Sequence, residues 1–138
     1  MKTQFEKASV IDVHAHIVLK ETFGVAGKVG PELGDQDGEM PWFRVGDYRL
    51  DGVRYENSPF MSVDLRLGKM DEAGIDCQVV SPNPLTFLHH IPKDLAISFC
   101  RIHNDALSKT ISGHDRLRGF AALPIQDLNA SVEELDRA

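Results

Sequence analysis

Strand-like and helix-like segments alternate three times along this chain, and that order restricts the fold more than any other feature of the sequence. The third strand-like segment, RGFAALP, is apolar on both faces, which is typical of a strand in a parallel sheet covered by helices. Alternation of this kind predicts right-handed βαβ units in an α/β fold. We predict strands at 10–17, 76–82 and 118–124 and helices at 63–73, 92–113 and from Asp127 or Asn129 onward.

Three parallel strands do not make a finished domain, and the last helical pattern runs to Ala138 without a stop signal. A (β/α)8 barrel of the TIM type needs about 250 residues. We therefore expect residues 1–138 to be the N-terminal portion of one barrel domain, with the remainder of the barrel absent.

A long Gly- and Pro-rich stretch follows the first strand, at about 18–61. Within it, WFRV and YRLDGVRY flank Gly46 and Asp47, which predicts a small hairpin. Long irregular stretches in compact domains are usually functional or form an inserted subdomain. We expect a small inserted segment here.

Composition excludes several classes of protein. The net charge of −6 argues against nucleic acid as a partner, since nucleic-acid-binding proteins carry a basic surplus. No apolar run approaches the ~20 residues of a membrane span, and the polar start MKTQFEKAS has no apolar region of a signal peptide behind it. Cys77 and Cys100 are too few for a disulfide framework. We expect a cytoplasmic protein that binds no membrane.

The first strand, IDVHAHIV, carries two histidines in an apolar run. Residues two apart on a strand share a face, so His14 and His16 project together from its carboxyl-terminal half. Barrel enzymes keep their active sites at that end of the strands, and imidazole suits Zn, Fe and Ni. One interpretation is half of a divalent metal site, and the other is a strand with one solvated face.

Motifs along nearly the whole chain resemble the metal-dependent amidohydrolase superfamily, and more narrowly its aminocarboxymuconate-semialdehyde decarboxylase branch. They begin with IDVHAHI and with PWFRV followed by DYR. They continue with LGKMDEAGIDCQVV, RIHNDAL and RLRGFAALPIQDL. HxH alone is weakly specific, but its combination with MDEAGID and the LPIQDL strand end is much more specific.

The resemblance implies a divalent metal, usually zinc, held by the HxH histidines together with a histidine and an aspartate from later strands. Only His14 and His16 carry over, so the other ligands and the catalytic histidine are expected beyond residue 138, and this chain alone is expected to be inactive. Arg49 matches an arginine that binds a substrate carboxylate, and Phe87 matches an aromatic residue that lines the pocket. Simple packing of Phe87 and an exposed hairpin arginine are the alternatives.

Other polar residues receive structural interpretations. His89 and His90, in the loop after the second strand, can reach the barrel mouth, but adjacent residues rarely ligate one metal. His103 lies near the buried stripe of the long helix and is expected to be packed. We expect Asp127 to cap a helix and Asp12 to make an orienting hydrogen bond.

The function predicted for the full-length protein is that of a zinc-dependent decarboxylase, a carbon–carbon lyase. Its partner would be a small unsaturated or aromatic carboxylate substrate, and the resemblance allows a homodimer. One alternative is a metal-dependent hydrolase of the same superfamily, since the discriminating residues lie outside this sequence. The other is an inactive or binding fragment.

Overall fold

The computed structural model describes residues 3–34 and 40–138. Helices and strands alternate through most of this part of the chain. The strands are β1 (Ile11–Ile17), β2 (Glu32–Gly34), β3 (Trp42–Val45), β4 (Tyr48–Asp51), β5 (Cys77–Pro82) and β6 (Leu117–Gly119). The α-helices are α1 (Gln4–Lys7), α2 (Val63–Ala73), α3 (Lys93–Ile111) and α4 (Leu128–Arg137), and short 3₁₀ turns lie at Lys20–Thr22, Gly27–Val29 and Pro84–Thr86.

The main sheet has the order β1-β5-β6 and both of its pairings are parallel. This confirms the predicted direction and sequential order of the three strands. Between the strands and α3 lies a core of Ile17, Leu19, Val80, Ala106 and Leu107. The carboxyl ends of all three strands therefore face the same way.

Strand β1 is not a regular strand. Asp12 pairs with Gln78 and Ala15 pairs with Val80, so β1 advances three residues where β5 advances two. A bulge of this kind re-aims side chains and is common next to active sites. The bulge interrupts the regular alternation of side chains between the two faces of the strand that the sequence predicts. Val13, which lies in the bulge, is 67% exposed.

The main helices begin and end at the residues that the sequence predicts, within one or two positions. Ser62 caps α2 by accepting from the Leu65 N–H, and Gly74 ends it in the left-handed conformation at φ 67°, which glycine adopts without steric cost. Asp127 accepts the Ala130 N–H at 3.0 Å and caps α4, as predicted.

The third strand is shorter than the predicted range 118–124. Strand β6 ends at Gly119, and the backbone of Ala122 then pairs with a side chain. Asn104 of α3 accepts the Ala122 N–H at 2.7 Å and donates to the Ala122 carbonyl at 2.9 Å. The Phe120 N–H still donates to the Val80 carbonyl of β5 at 2.9 Å, but at Ala122 the backbone hydrogen bonds go to a helix side chain instead of to a strand.

The inserted segment forms its own antiparallel sheet of β2, β3 and β4. The predicted hairpin is confirmed, with Val45 opposite Tyr48 and Gly46 at φ 58°. Strand β2 was not predicted, and positions 35–39 of the Gly- and Pro-rich stretch lie outside the described residues.

A second core joins this segment to the residues that follow β5. Phe43, fully buried, and Tyr55 pack in one cluster with Leu88, Ile91 and Phe99. Leu88 and Ile91 lie between β5 and α3, so the inserted segment packs at the carboxyl end of the main sheet. Among the described residues, no helix is long and apolar enough to cross a membrane.

Candidate metal and substrate site

Beside β1 lies a cavity of about 300 Å³, which we call the histidine cavity. It brings together the polar side chains of β1, one residue of β5, one of α2 and two from the end of the inserted segment. Its lining residues are Asp12, His14, Ala15, His16, Pro59, Phe60, Arg66 and Gln78.

The two histidines of the HxH motif come together in this cavity. Their ring centroids are 5.0 Å apart with an interplanar angle of 78°. His14 is exposed and His16 is half-buried. The spacing of two residues thus brings both imidazoles to one place, despite the bulge in β1.

The hydrogen bonds of His16 determine which ring nitrogen carries its proton. Nδ1 lies 2.9 Å from Ser81 Oγ and 3.2 Å from the Pro82 carbonyl oxygen. The Ser81 hydroxyl already donates to the Ala15 carbonyl at 3.1 Å, so both neighbours of Nδ1 are acceptors. Nδ1 therefore carries the proton and Nε2 keeps its lone pair, which is the form that binds a metal.

The backbone of the pair is held by a chain of side chains. Asp12 accepts the His14 N–H at 2.9 Å and also accepts from Gln78 Nε2 at 2.7 Å. Gln78 Oε1 accepts from Arg66 Nη1 at 2.6 Å, and Arg66 Nη2 donates to the His16 carbonyl at 2.6 Å. Each histidine is thus fixed at one backbone group.

Sequence reasoning missed Arg66. Arg66 is only 6% exposed. Burial lowers the pKa of its guanidinium, and the Asp12 carboxylate opposes that shift. Its Nε has no hydrogen-bond partner among the described residues. A signal was present, since Arg66 lies three residues after Val63 and four before Met70, on the apolar stripe of α2.

The donor set fits part of a divalent metal site. Two imidazoles in one cavity, one of them held in its metal-binding form, match the ligands that zinc prefers. Within residues 3–34 and 40–138, no group of three or more His, Cys, Asp or Glu side chains is placed to hold an ion. The described residues therefore bring together two candidate ligands of such a site.

Arg49 is placed on β4 and not in the lining of the histidine cavity. Its guanidinium carbon lies 4.5 Å from the centroid of the Trp42 ring, and Nε pairs with Asp51 at 2.7 Å. The side chain is 48% exposed. Its role in substrate binding stays a prediction.

Phe87 lies in a second cavity of about 210 Å³ at the carboxyl ends of β5 and β6. Its ring stacks on that of His89, with centroids 5.7 Å apart and an angle of 6°. Phe87 is 45% exposed, so the stacked pair offers a flat surface. Ala121, Ala122, Leu123 and Ile125 complete this cavity.

The remaining histidines differ in burial. His90 is exposed. His103 is 2% exposed, with its ring centroid 6.3 Å from that of Phe99. Burial lowers its pKa to about 4, and the neighbouring Asn104 side chain opposes part of that shift. His103 is therefore a neutral, packed histidine of α3.

No family model matches the chain, but individual proteins do. It is 41% identical over 75 residues to the gamma-resorcylate decarboxylase of Rhodococcus jostii, a match that covers 54% of this chain and 23% of that protein. It is 30% identical over 134 residues to the 2-amino-3-carboxymuconate-6-semialdehyde decarboxylase of Caenorhabditis elegans, covering 92% of this chain and 32% of that protein. The chain thus spans 23% to 32% of the length of these two relatives.

A solved structure shows the same relationship. The dihydroxybenzoic acid decarboxylase of Polaromonas, with bound manganese and the inhibitor 2-nitroresorcinol, superposes with a TM-score of 0.64 at 27% identity. The match covers 93% of this chain and 34% of that one. The described α/β structure corresponds to part of a (β/α)8 barrel, as predicted. The chain is therefore similar in sequence and in structure to part of these decarboxylases.

Proposed function

We propose that the full-length protein is a metal-dependent decarboxylase, a carbon–carbon lyase that acts on a small aromatic or unsaturated carboxylate. His14 and His16 are two ligands of its divalent metal. The observation that carries this proposal is the histidine pair in one cavity, with the His16 proton held on Nδ1 by Ser81 and Pro82. The homology to gamma-resorcylate and aminocarboxymuconate-semialdehyde decarboxylases supports the reaction class.

Zinc is the metal we propose, because imidazole ligands favour zinc over the oxygen-preferring ions. The manganese bound in the Polaromonas decarboxylase makes manganese the competing ion. When bound, either ion supplies positive charge that polarises the substrate.

In the proposed reaction, the carbon that bears the carboxylate takes up a proton as its bond to the carboxyl carbon breaks. The electron pair of that bond stays with the protonated carbon, and the carboxyl group leaves as CO2. The proposed substrate is either an aromatic carboxylate or an unsaturated open-chain carboxylate, in line with the names of the relatives.

Two further residues of this chain are proposed to bind substrate. Phe87, with the stacked His89, packs against a flat ring or conjugated chain. Arg49 binds a carboxylate with its two-pronged guanidinium. Its present ion pair with Asp51 is half-exposed on both sides, and such pairs contribute little free energy, so a substrate carboxylate can replace Asp51.

We propose that the described elements are the first three strand–helix units of the barrel, with 18–61 inserted after the first strand. Packing of the inserted segment on Leu88 and Ile91 supports its placement near the carboxyl ends of the strands. The cytoplasm is the proposed location, supported by the two free, buried thiols. A homodimer is proposed from the family resemblance alone.

The test is CO2 release by the purified full-length protein from gamma-resorcylate and from 2-amino-3-carboxymuconate semialdehyde. We expect release from at least one substrate, loss of release after dialysis against a chelator, and recovery with Zn²⁺ or Mn²⁺. Absence of release from both substrates by metal-loaded protein, combined with hydrolysis of an ester or lactone, would replace the lyase with the hydrolase.

A further inference from the structure

We infer that Arg66 is a positioning residue for the histidine pair, acting through the His16 carbonyl on one side and through Gln78 and Asp12 on the other. The inference rests on the proposed function, because it assigns a task within the same metal site. The side chain belongs to α2, whose other buried residue is the apolar Met70.

Burial makes a purely packing role for Arg66 costly. The residue is 6% exposed, and a charge taken out of water destabilises a protein unless it is well paired. Here the compensation is the Asp12 carboxylate, reached through the amide of Gln78. An apolar residue at this helix position would fill the same space without that cost, so the charge needs a second explanation.

The hydrogen bonds of this network end on the backbone groups of His14 and His16. One guanidinium nitrogen donates to the His16 carbonyl at 2.6 Å. The other starts the path through Gln78 to Asp12, which accepts the His14 N–H. This path spans the bulge of β1, where strand pairing no longer fixes the backbone. Side-chain hydrogen bonds thus replace the interrupted strand pairing at the place where the two histidines are positioned.

The network also borders the histidine cavity itself. Arg66 lines the cavity, and its Nε has no partner among the described residues. Buried donors are nearly always paired, so the unpaired Nε adds to the cost of burying this side chain. Arg66 is therefore part of the cavity wall and not only of the helix packing.

Arg116 provides a matched control within the same chain. Its Nε and Nη2 donate to the carbonyls of Asp76 and Ile75 at 2.8 and 2.6 Å, and Nη1 pairs with Asp71. Like Arg66, it donates to backbone carbonyls, here those of the two residues before β5, at the amino end of the main sheet. A role limited to fold stability would make the two arginines behave alike.

The experiment compares Arg66→Met, Arg66→Lys and Arg116→Met in the full-length protein, with Zn²⁺ affinity measured by competition with a chelator. Removal of a group that orients a metal ligand typically costs 10–100-fold in affinity, and we expect a loss in that range for Arg66→Met. Arg66→Lys should recover part of it, since one ammonium cannot make both bonds. Arg116→Met should leave affinity unchanged.

Unchanged zinc affinity in a folded Arg66→Met protein would overturn the inference. If Arg66→Met does not fold, Gln78→Met decides in its place, because it breaks only the path to Asp12. If the unsubstituted protein takes up no metal, the proposed function fails, and amide exchange of the His14 N–H becomes the readout. Loss of one charge-assisted hydrogen bond predicts roughly tenfold faster exchange in the Arg66 variant only. Equal acceleration in the Arg116 variant would overturn the inference.

Discussion

Two polar clusters of the main sheet differ in how completely they are paired. The amino-end cluster consists of Asp71, Asp76 and Arg116. Asp76 accepts the N–H groups of the two residues before β1, at 2.7 and 2.8 Å. These bonds hold the pKa of its carboxyl below the ordinary value, and Arg116 completes the cluster with its three bonds.

The histidine cavity is the opposite case. Among the described residues, the hydrogen bonds of the His16 ring are made through Nδ1. Arg66 Nε is buried without a partner in the same part of the structure, and both residues line a cavity of about 300 Å³. Polar groups that satisfy one another close a sheet end, whereas a ring nitrogen that keeps its lone pair beside a cavity is available to a ligand. In barrels, these two behaviours belong to the stability face and the active-site face.

The largest expected effect comes from the cavity. His14→Ala and His16→Ala should each abolish decarboxylation by the full-length protein, with a loss beyond the ~100-fold of an outer partner. CO2 release is the measurement. His114→Ala, at the turn before β6, is the control and should keep its activity. Activity within tenfold of the unsubstituted protein in both cavity variants would remove the distinction between the clusters.

His103 separates the polar groups that line a cavity from a polar group that is packed in a core. Its pKa is lowered to about 4 by burial, whereas an unfolded histidine titrates near 6.5. Between these values the unfolded state binds more protons, so stability is full above ~pH 6.5 and falls as the pH drops towards 4. The loss is on the order of 3 kcal/mol.

Urea unfolding at pH 7 and pH 4.5 measures this loss. His103→Leu should flatten the dependence over that range, and metal binding at pH 7 should not change. An identical pH dependence in the variant would show that other groups cause the acid sensitivity.

Arg49 tests whether a residue outside the cavity lining takes part in binding. Arg49→Ala should weaken binding of a carboxylate substrate by about 1.5–3 kcal/mol, the value of a charge-assisted hydrogen bond. Arg49→Lys should recover only part of it. Because the side chain is half-exposed, the unfolding free energy should hardly change. Unchanged KM and turnover in Arg49→Ala would leave the hydrolase as the better interpretation.

The smallest effect is expected at the amino-end cluster. Arg116→Ala removes bonds to two carbonyls that water can partly replace, so the unfolding free energy should fall by roughly 1 kcal/mol. Turnover per folded molecule should be unchanged. A drop in turnover without a drop in stability would mean that this end of the sheet contributes to catalysis.

Much of the parallel sheet could be predicted from the sequence, because its signals are local. Ser62 and Gly74 mark the ends of α2, Asp127 starts α4, and apolar runs mark the strands. The end of β6 could not be predicted from the local sequence. It depends on Asn104, which is distant in sequence and whose side chain hydrogen-bonds to the backbone of Ala122. Strand β2 has only three residues and too little pattern to detect.

The site was predictable to the extent that spacing determines it. A spacing of two residues on a strand was enough to predict that His14 and His16 lie together, although the bulge in β1 was not predicted. Arg66 was missed because a charged helix residue is usually solvated, and only its position on the apolar stripe indicated otherwise. The present contacts of Arg49, a stacked Trp42 and the Asp51 carboxylate, depend on hairpin geometry that no motif encodes.

Elemental analysis of the full-length protein tests the central claim most directly. The claim is that His14 and His16 hold a divalent metal, so the unsubstituted protein and His114→Ala should each contain about one zinc or manganese per chain, as a single site requires. Protein with His14→Ala or His16→Ala, purified in parallel, should contain almost none. Full metal occupancy in both of these variants would contradict the assignment of the pair as ligands.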